Sequence, residues 1–212
     1  MRLLSLFSTL AFIAGFHGAF CQDRKSSFRS FDEPWVTDSA STMLIPYRYD
    51  ASLFSSDKMK SWGNYYANYI VYHFNSDSYA TLFPDDTYIQ APEPYSYSYS
   101  RGSEPRHRNI SKSWVFYLVK NKDHNGNGKI DERDPFILYA SDTRGENLKP
   151  ITPESENVVS FVRYEKFGFI LLTVQRDSNH DGEFQLNDND HYLVRVNLSD
   201  LSLGNKIEYR NR

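Results

Sequence analysis

The chain of 212 residues is predicted to be mainly β, built from antiparallel sheet units. Two apolar runs rich in aromatic and β-branched residues, 114–119 and 167–174, are typical of strands. Each run is followed by a loop rich in Asp, Asn and Gly, and then by a second apolar run, 136–140 or 192–196. Because the two units repeat the same order, the sequence indicates successive strand-loop-strand elements.

Both loops place oxygen-bearing side chains at fixed positions around a glycine. Loop one is residues 123–134 and loop two is residues 177–188, so that the loops start 54 residues apart. Positions 1, 3, 5 and 12 carry Asp or Asn, and position 6 is Gly128 or Gly182, where a sharp turn at positive φ is expected. A hard divalent cation needs six to eight such oxygens, and a short chain supplies them by curling round the ion.

The sequence therefore predicts two Ca²⁺ sites and no other cofactor. Position 7 is expected to contribute its backbone carbonyl, and position 8, Ile130 or Phe184, is expected to pack inward. The candidate metal ligands are Asp123, Asn125, Asn127, Lys129, Asp131 and Asp134 in loop one, and Asp177, Asn179, Asp181, Glu183, Gln185 and Asp188 in loop two. The competing interpretation is that these residues simply form turns, which Asp, Asn and Gly favour without any ion.

These loops resemble those of the EF-hand family, and in particular the dockerin variant, in which Asp instead of Glu stands at position 12. Asp134 and Asp188 follow that variant. The resemblance implies calcium binding, and the shorter side chain implies an affinity on the order of 10⁻⁵ to 10⁻³ M. The chain departs from the family where a helix should leave the loop, because Pro135 follows Asp134 at once and strand-forming residues come next.

Residues 138–153 resemble a blade of the Tol-type, WD-like β-propellers, with a strand, an Asp-to-Gly turn and a Thr-Pro exit. An earlier unit without a calcium loop is predicted at 68–74 and 79–83, around a hairpin turn at 75–78. This number of units is at or below the usual minimum for a propeller. The expected fold is a small or incomplete β-propeller-like array of antiparallel sheets, and a β-sandwich is the alternative.

The N-terminus predicts export. Residues 1–21 combine a short basic start, an apolar stretch and small residues, as in a secretory signal peptide. The mature chain, 22–212, is then a single calcium-binding β domain in the periplasm or outside the cell, with 22–58 as a mostly irregular lead-in that holds one short strand at 42–47. Cys21 is the single cysteine, and lipid anchoring through it is the less favoured alternative.

Composition narrows the function classes. An aromatic share of 16% suits β-sheets, and a net charge of −3 does not indicate nucleic acid or an anionic membrane as partner. The apolar N-terminal stretch is too short for a transmembrane segment. The chain lacks an HExxH pattern and a Gly-x-Ser-x-Gly elbow, so a non-enzymatic protein is expected. A glycosidase is the open alternative, because its paired carboxylates can be distant in sequence.

Two functions are compatible with these features. In the first, calcium stabilises the strand connections of an exported protein. In the second, the protein is a module that binds a protein or a glycan through calcium-shaped loops. The alternating tyrosines at 95–99 and the nearby arginines at 101–108 would form the binding surface in the second case. The favoured alternative is that these tyrosines lie on an edge strand or extended loop and cover the neighbouring core.

Overall fold

The computed structural model describes residues 28–37, 41–50, 65–90 and 113–208, which form strands and one short 3₁₀ turn, Glu165–Phe167. The expected signal peptide and Cys21 lie outside these residues. The strands are β1 Phe28–Phe31, β2 Trp35–Val36, β3 Thr42–Asp50, β4 Tyr65–Tyr66, β5 Asn68–His73, β6 Ser78–Thr81, β7 Tyr88–Gln90, β8 Trp114–Lys120, β9 Ile137–Asp142, β10 Lys149–Pro150, β11 Glu156–Tyr164, β12 Phe169–Arg176, β13 His191–Asn197 and β14 Leu203–Glu208. The prediction of a mainly β fold is confirmed.

The strands of the described residues form three antiparallel sheets, which follow the chain in order except that β4 joins the central sheet ahead of β5 and β6 of the first. The first sheet has the order β1-β3-β5-β6, with β2 also paired to β3. The central sheet has the order β10-β9-β8-β7-β4, and the third sheet is the meander β11-β12-β13-β14. Such an arrangement agrees with the expected array of sheets, whether sandwich-like or an incomplete propeller.

The central sheet is buried on both faces. Along β8, Val115 and Tyr117 face the first sheet, whereas Phe116 and Leu118 pack with residues of the third sheet. Successive side chains of a strand point to opposite faces, so a sheet covered on both sides needs apolar residues at every position. This explains why the run at 114–119 is apolar without interruption.

Two cores therefore share the central sheet. The core between the first and central sheets contains Leu44, Tyr66, Tyr69, Val71, Leu82, Phe83, Ile89, Val115, Tyr117, Val119, Ile137 and Tyr139. The core between the central and third sheets contains Phe116, Leu138, Ala140, Val158, Ile170, Leu172, Val174, Tyr192, Val194, Val196 and Leu201. Aromatic side chains concentrate in the first core, where Tyr69 and Tyr117 lie 5.5 Å apart between ring centroids.

The predicted strands match the observed ones closely. The runs at 114–119, 136–140 and 192–196 correspond to β8, β9 and β13, with shifts of one or two residues at the ends. The run at 167–174 starts two residues early, because Gly168 at φ 72° ends the 3₁₀ turn before β12 begins. The early hairpin is also present as β5 and β6, whose pairing includes Ile70 with Thr81.

The expectation that 22–58 is mostly irregular needs correction for the residues that the structure describes. Three strands lie in this segment, and β3 extends from Thr42 to Asp50, beyond the single short strand expected at 42–47. Both β1 and β2 pair with β3. These short strands carry little apolar periodicity of their own, and they form because β3 offers backbone groups on its free edge.

The β9–β10 connection packs the central sheet against the first. Asp142 Oδ1 accepts hydrogen bonds from the backbone N–H groups of Arg144 and Glu146, both at 2.9 Å, and so fixes the turn. Gly145 follows at φ 75°, and a Cβ atom there would lie 2.7 Å from Val71 Cγ2 of β5. Only a residue without a side chain fits both the backbone angle and the space.

Substituting Gly145 tests this packing. We expect Gly145→Ala to lower the free energy of unfolding more than Gly168→Ala does, by about 1–3 kcal/mol, because it adds overpacking to the cost of positive φ. Gly168 is the matched control, since its φ is 72° and a Cβ atom there would meet no neighbouring atom within 4 Å. The two variants are compared by chemical denaturation, and equal losses of stability would contradict the close contact with Val71.

Candidate metal centre

Both predicted loops connect neighbouring antiparallel strands. Loop one joins β8 to β9 in the central sheet, and loop two joins β12 to β13 in the third sheet. Residues 132–133 and 186–187 form single turns at positions 10 and 11, and strands follow. The expected strand-loop-strand arrangement is therefore present in both units.

The aspartate at position 1 has the same hydrogen bonds in both loops. Asp123 Oδ2 accepts from the backbone N–H of Gly128 at 2.6 Å, and Asp177 Oδ2 accepts from that of Gly182 at 2.9 Å. The other carboxylate oxygen accepts from the N–H at position 5, at 3.1 Å from Asn127 and 3.2 Å from Asp181. The position-1 carboxylate thus faces the inside of each loop.

The aspartate at position 12 closes each loop from the opposite side. Asp134 accepts from the N–H groups of His124 and Asp131, both at 2.7 Å. Asp188 accepts from those of Ser178 and Gln185, both at 3.1 Å. These donors are positions 2 and 9 in either loop. Asp134 and Asp188 are each only 1% exposed, so that a buried carboxylate joins the two ends of each loop.

Positions 3 and 5 complete the shared pattern. The side-chain oxygens of Asn125 and Asn179, at position 3, both accept from the N–H at position 5 at 3.0 Å. The oxygen at position 5, from Asn127 or Asp181, accepts from the N–H at position 7 at 2.9 Å or 2.8 Å. Six hydrogen bonds therefore recur in loop two, 54 residues after loop one.

The donor chemistry fits a hard cation. Every oxygen in the shared pattern belongs to a carboxylate or an amide, and such an oxygen has a second lone pair after it accepts one hydrogen bond. Asp188 Oδ1 is the exception, because it accepts from both the N–H and the hydroxyl of Ser178, so that Oδ2 is the oxygen of Asp188 with a lone pair to offer. The backbone N–H groups fix the orientation of the side chains, and the remaining lone pairs are those that Ca²⁺ or Mg²⁺ would use. The residues at positions 1, 3, 5 and 12 are thus suited to hold the predicted ion.

Positions 7 and 9 behave differently from the other candidates. Lys129 is exposed, and the Glu183 side chain turns toward loop one, so neither side chain joins its own loop's pattern. At position 9, Asp131 Oδ2 accepts from the Asn127 side chain at 3.2 Å, and Gln185 donates to Glu183. For position 7 the sequence predicts a carbonyl ligand, for which the side chain does not matter.

The supporting residues of the loops agree in part with expectation. Gly128 and Gly182 have φ values of 84° and 78°, which confirms the predicted positive φ at position 6. Phe184 is 7% exposed and packs as predicted, whereas Ile130 is only half buried. Phe184 packs against the ring of His124, at 5.9 Å between centroids, so that the position-8 anchor of loop two contacts loop one.

Across the ranges that the structure describes, no group of three or more His, Cys, Asp and Glu side chains is arranged to hold a metal ion. Loops of this kind also use amide and backbone carbonyl oxygens, which such a group does not include. The two calcium sites therefore stay a prediction, supported by the repeated hydrogen-bond pattern.

Two buried polar side chains that the sequence analysis missed fasten the loops to their strands. Lys120 Nζ donates to the backbone carbonyls of Asp131 and Glu132 at 2.9 Å each. Gln175 Nε2 donates to those of Gln185 and Asp188 at 2.7 Å and 3.0 Å. For Lys120 a signal was available, because it shares the strand face of Phe116 and Leu118, where an apolar residue would be expected.

The charges of these groups respond to their surroundings. Burial lowers the pKa of Lys120 to about 8, although the carboxylates of Asp134, Asp131 and Glu132 oppose the shift. For Asp188, burial raises the pKa, but the hydrogen bonds from Gln185 and Ser178 outweigh burial and hold it below the ordinary value. Asp188 is therefore kept ionised, as a cation ligand must be.

Comparison with known proteins found no relative, because no protein-family model and no curated protein matches the chain. In the described part of the chain, no helix is long and apolar enough to cross a membrane. The tyrosines at 95–99 and the arginines at 101–108, on which a binding-module function depends, lie outside the described residues.

The low pKa of Lys120 predicts a pH dependence of stability. Between pH 8 and pH 10.5 the unfolded chain holds this proton and the folded chain has released it, so stability rises with pH. In chelator, we expect the free energy of unfolding of the wild type to gain roughly 2–3 kcal/mol relative to Lys120→Met across this window. Denaturation at several pH values measures the difference. A constant difference between the two proteins would contradict the burial of this ammonium group.

Proposed function

We propose that the protein is an exported, non-enzymatic calcium-binding β-protein in which two EF-hand-like loops bind Ca²⁺ and thereby stabilise the strand connections of the central and third sheets. The observation that carries this proposal is the repetition of six hydrogen bonds at equivalent positions of the two loops. Ordinary Asx turns would not need a glycine at position 6 and a buried aspartate at position 12 together, twice in one chain.

The loops carry charge that a cation would neutralise. Each has three aspartates among the candidate ligands: Asp123, Asp131 and Asp134 in loop one, and Asp177, Asp181 and Asp188 in loop two. The position-12 carboxylates are buried, and the hydrogen bonds that keep Asp188 ionised leave it available to a cation. When bound, the ion would supply a positive centre for these oxygens, and the chain itself would supply their positions through backbone N–H groups.

Such binding would be worth a sizeable share of the stability of a domain. At a calcium concentration ten times the dissociation constant, each site contributes about 1.4 kcal/mol. Two sites then contribute about 3 kcal/mol, compared with a typical total of about 5–15 kcal/mol. An exported chain with a single cysteine has no internal disulfide to supply this stability, so the folded state would depend on the ion.

Thermal melting with and without calcium tests the proposal. In a saturating excess of CaCl₂ over chelator, we expect Tm to rise by roughly 5–10 °C, the shift that about 3 kcal/mol gives in a domain of this size. Asp123→Ala combined with Asp177→Ala should abolish the rise, because both position-1 ligands are lost. The melting temperature in chelator should also fall, because each carboxylate accepts two backbone hydrogen bonds, so the calcium-dependent difference is the quantity to compare.

The control removes the same number of carboxylates elsewhere. Glu146→Gln combined with Glu154→Gln changes two exposed residues outside both loops, and the calcium-dependent rise should persist. Equal melting temperatures of the wild type in calcium and in chelator would contradict the proposed role of the ion. A rise that survives the aspartate substitutions would place calcium at other residues.

A further inference from the structure

The two candidate loops lie against each other, although they belong to different sheets. The backbone N–H of Phe184 in loop two donates to the carbonyl of Arg133 in loop one at 2.9 Å. The Arg133 guanidinium also forms an ion pair with Glu183 at 2.9 Å. The central and third sheets therefore meet through both backbone and side-chain contacts at this end.

Candidate ligand positions take part in this contact. Asn125, at position 3 of loop one, donates through Nδ2 to Glu183 Oε1 at 3.3 Å, while its Oδ1 accepts from the N–H of Asn127 within its own loop. Glu183 is position 7 of loop two. Next to it, a Cβ atom on Gly182 would lie 3.4 Å from Asn125 Cα, so the two backbones approach closely. Fixing Asn125 in one loop also restricts positions 6 and 7 of the other.

A second connection between the loops runs through partly buried side chains of β11 and β12. The N–H of Phe136, two residues after Asp134, donates to Asn157 Oδ1 at 2.8 Å. Asn157 Nδ2 donates to Gln175 Oε1, also at 2.8 Å. Gln175 in turn donates to the carbonyls of loop two, at positions 9 and 12. Each amide both accepts and donates, so that the chain of hydrogen bonds has one consistent direction.

This chain of hydrogen bonds, from Phe136 through Asn157 and Gln175 to loop two, is the relay between the loops, and it is also held by β11. The carbonyl of Phe136 accepts from the N–H of Val158 at 2.8 Å, and thus both backbone groups of Phe136 are bound to the start of β11. Gln175 is 7% exposed. Asn157 is half buried, and the hydrogen bond from Gln175 to the Asp188 carbonyl is fully buried. A shift of the exit of loop one is therefore resisted by the carbonyls of loop two.

We propose that Asn157 and Gln175 are positioning residues that link the two loops, so that calcium bound in one loop raises the affinity of the other. This inference rests on the proposed function. When an ion orders one loop, contacts that the other loop needs are already fixed. Binding of the second ion then costs less conformational entropy. By thermodynamic linkage, the factor by which an ion in one loop raises the affinity of the other loop must be the same in both directions.

The coupling can be tested by inactivating either loop, because its effect on the other loop must be equal in both directions. In NMR titrations with CaCl₂, the amide signals of Gly128 and Gly182 report on the loops separately, because each amide donates to the position-1 aspartate of its own loop. We expect Asp177→Ala to weaken calcium binding at loop one by about fivefold or more, and Asp123→Ala to weaken loop two by the same factor.

The relay is tested by repeating this comparison in a Gln175→Met background. We expect the coupling factor between the loops to fall toward one, because methionine keeps the shape of the side chain and lacks the amide. Thr173→Val, on the same strand, is the matched control and should leave the factor unchanged. A purely structural role of Gln175 would lower Tm and leave the coupling factor as it is in the wild type, which would overturn the assignment.

Failure of the coupling and failure of the proposed function give different results. If both glycine signals titrate and each loop binds equally well with the other inactivated, calcium binding stands and the coupling is wrong. If neither signal responds to CaCl₂ in the unmodified chain, the proposed function fails, and the coupling fails with it.

Discussion

Burial of both faces of the central sheet is the constraint on which the rest of the structure depends. Because β8 and β9 are covered by the first sheet on one side and by the third sheet on the other, the three sheets must stack in a fixed order. The β8–β9 and β12–β13 connections then project at the same end, where Phe184 bonds to Arg133. Two loops that are 54 residues apart in sequence become neighbours through the packing of the strands that carry them.

Within each loop, the backbone determines where the oxygens point. Asp123 and Asp134 receive hydrogen bonds from four backbone N–H groups, and Asp177 and Asp188 receive the equivalent four. The loops differ in how they are fastened to their strands, because Lys120 brings a positive charge to loop one and Gln175 is neutral. The same local pattern is thus supported by different buried groups in the two sheets.

The loops and their flanking strands could be predicted from the sequence because their determinants are local. Position-specific Asp, Asn and Gly residues fix the turn within twelve residues, and the unbroken apolar run of β8 marks a buried strand. The roles of Asn157 and Gln175 could not be found in this way, since these two residues lie on different strands, 18 residues apart, and Asn157 also bonds to Phe136, 21 residues away. The strands β1 and β2 were missed for a related reason, as they depend on pairing with β3.

The most direct measurement of the central claim is the number of calcium ions bound per chain. Equilibrium dialysis of the folded protein against radioactive calcium, at concentrations up to several millimolar, counts the ions without reference to any consequence of binding. Two loops with the same set of oriented oxygens predict two ions per chain, and one ion in the Asp123→Ala variant. A chain that remains folded and binds no calcium over this range would contradict the account.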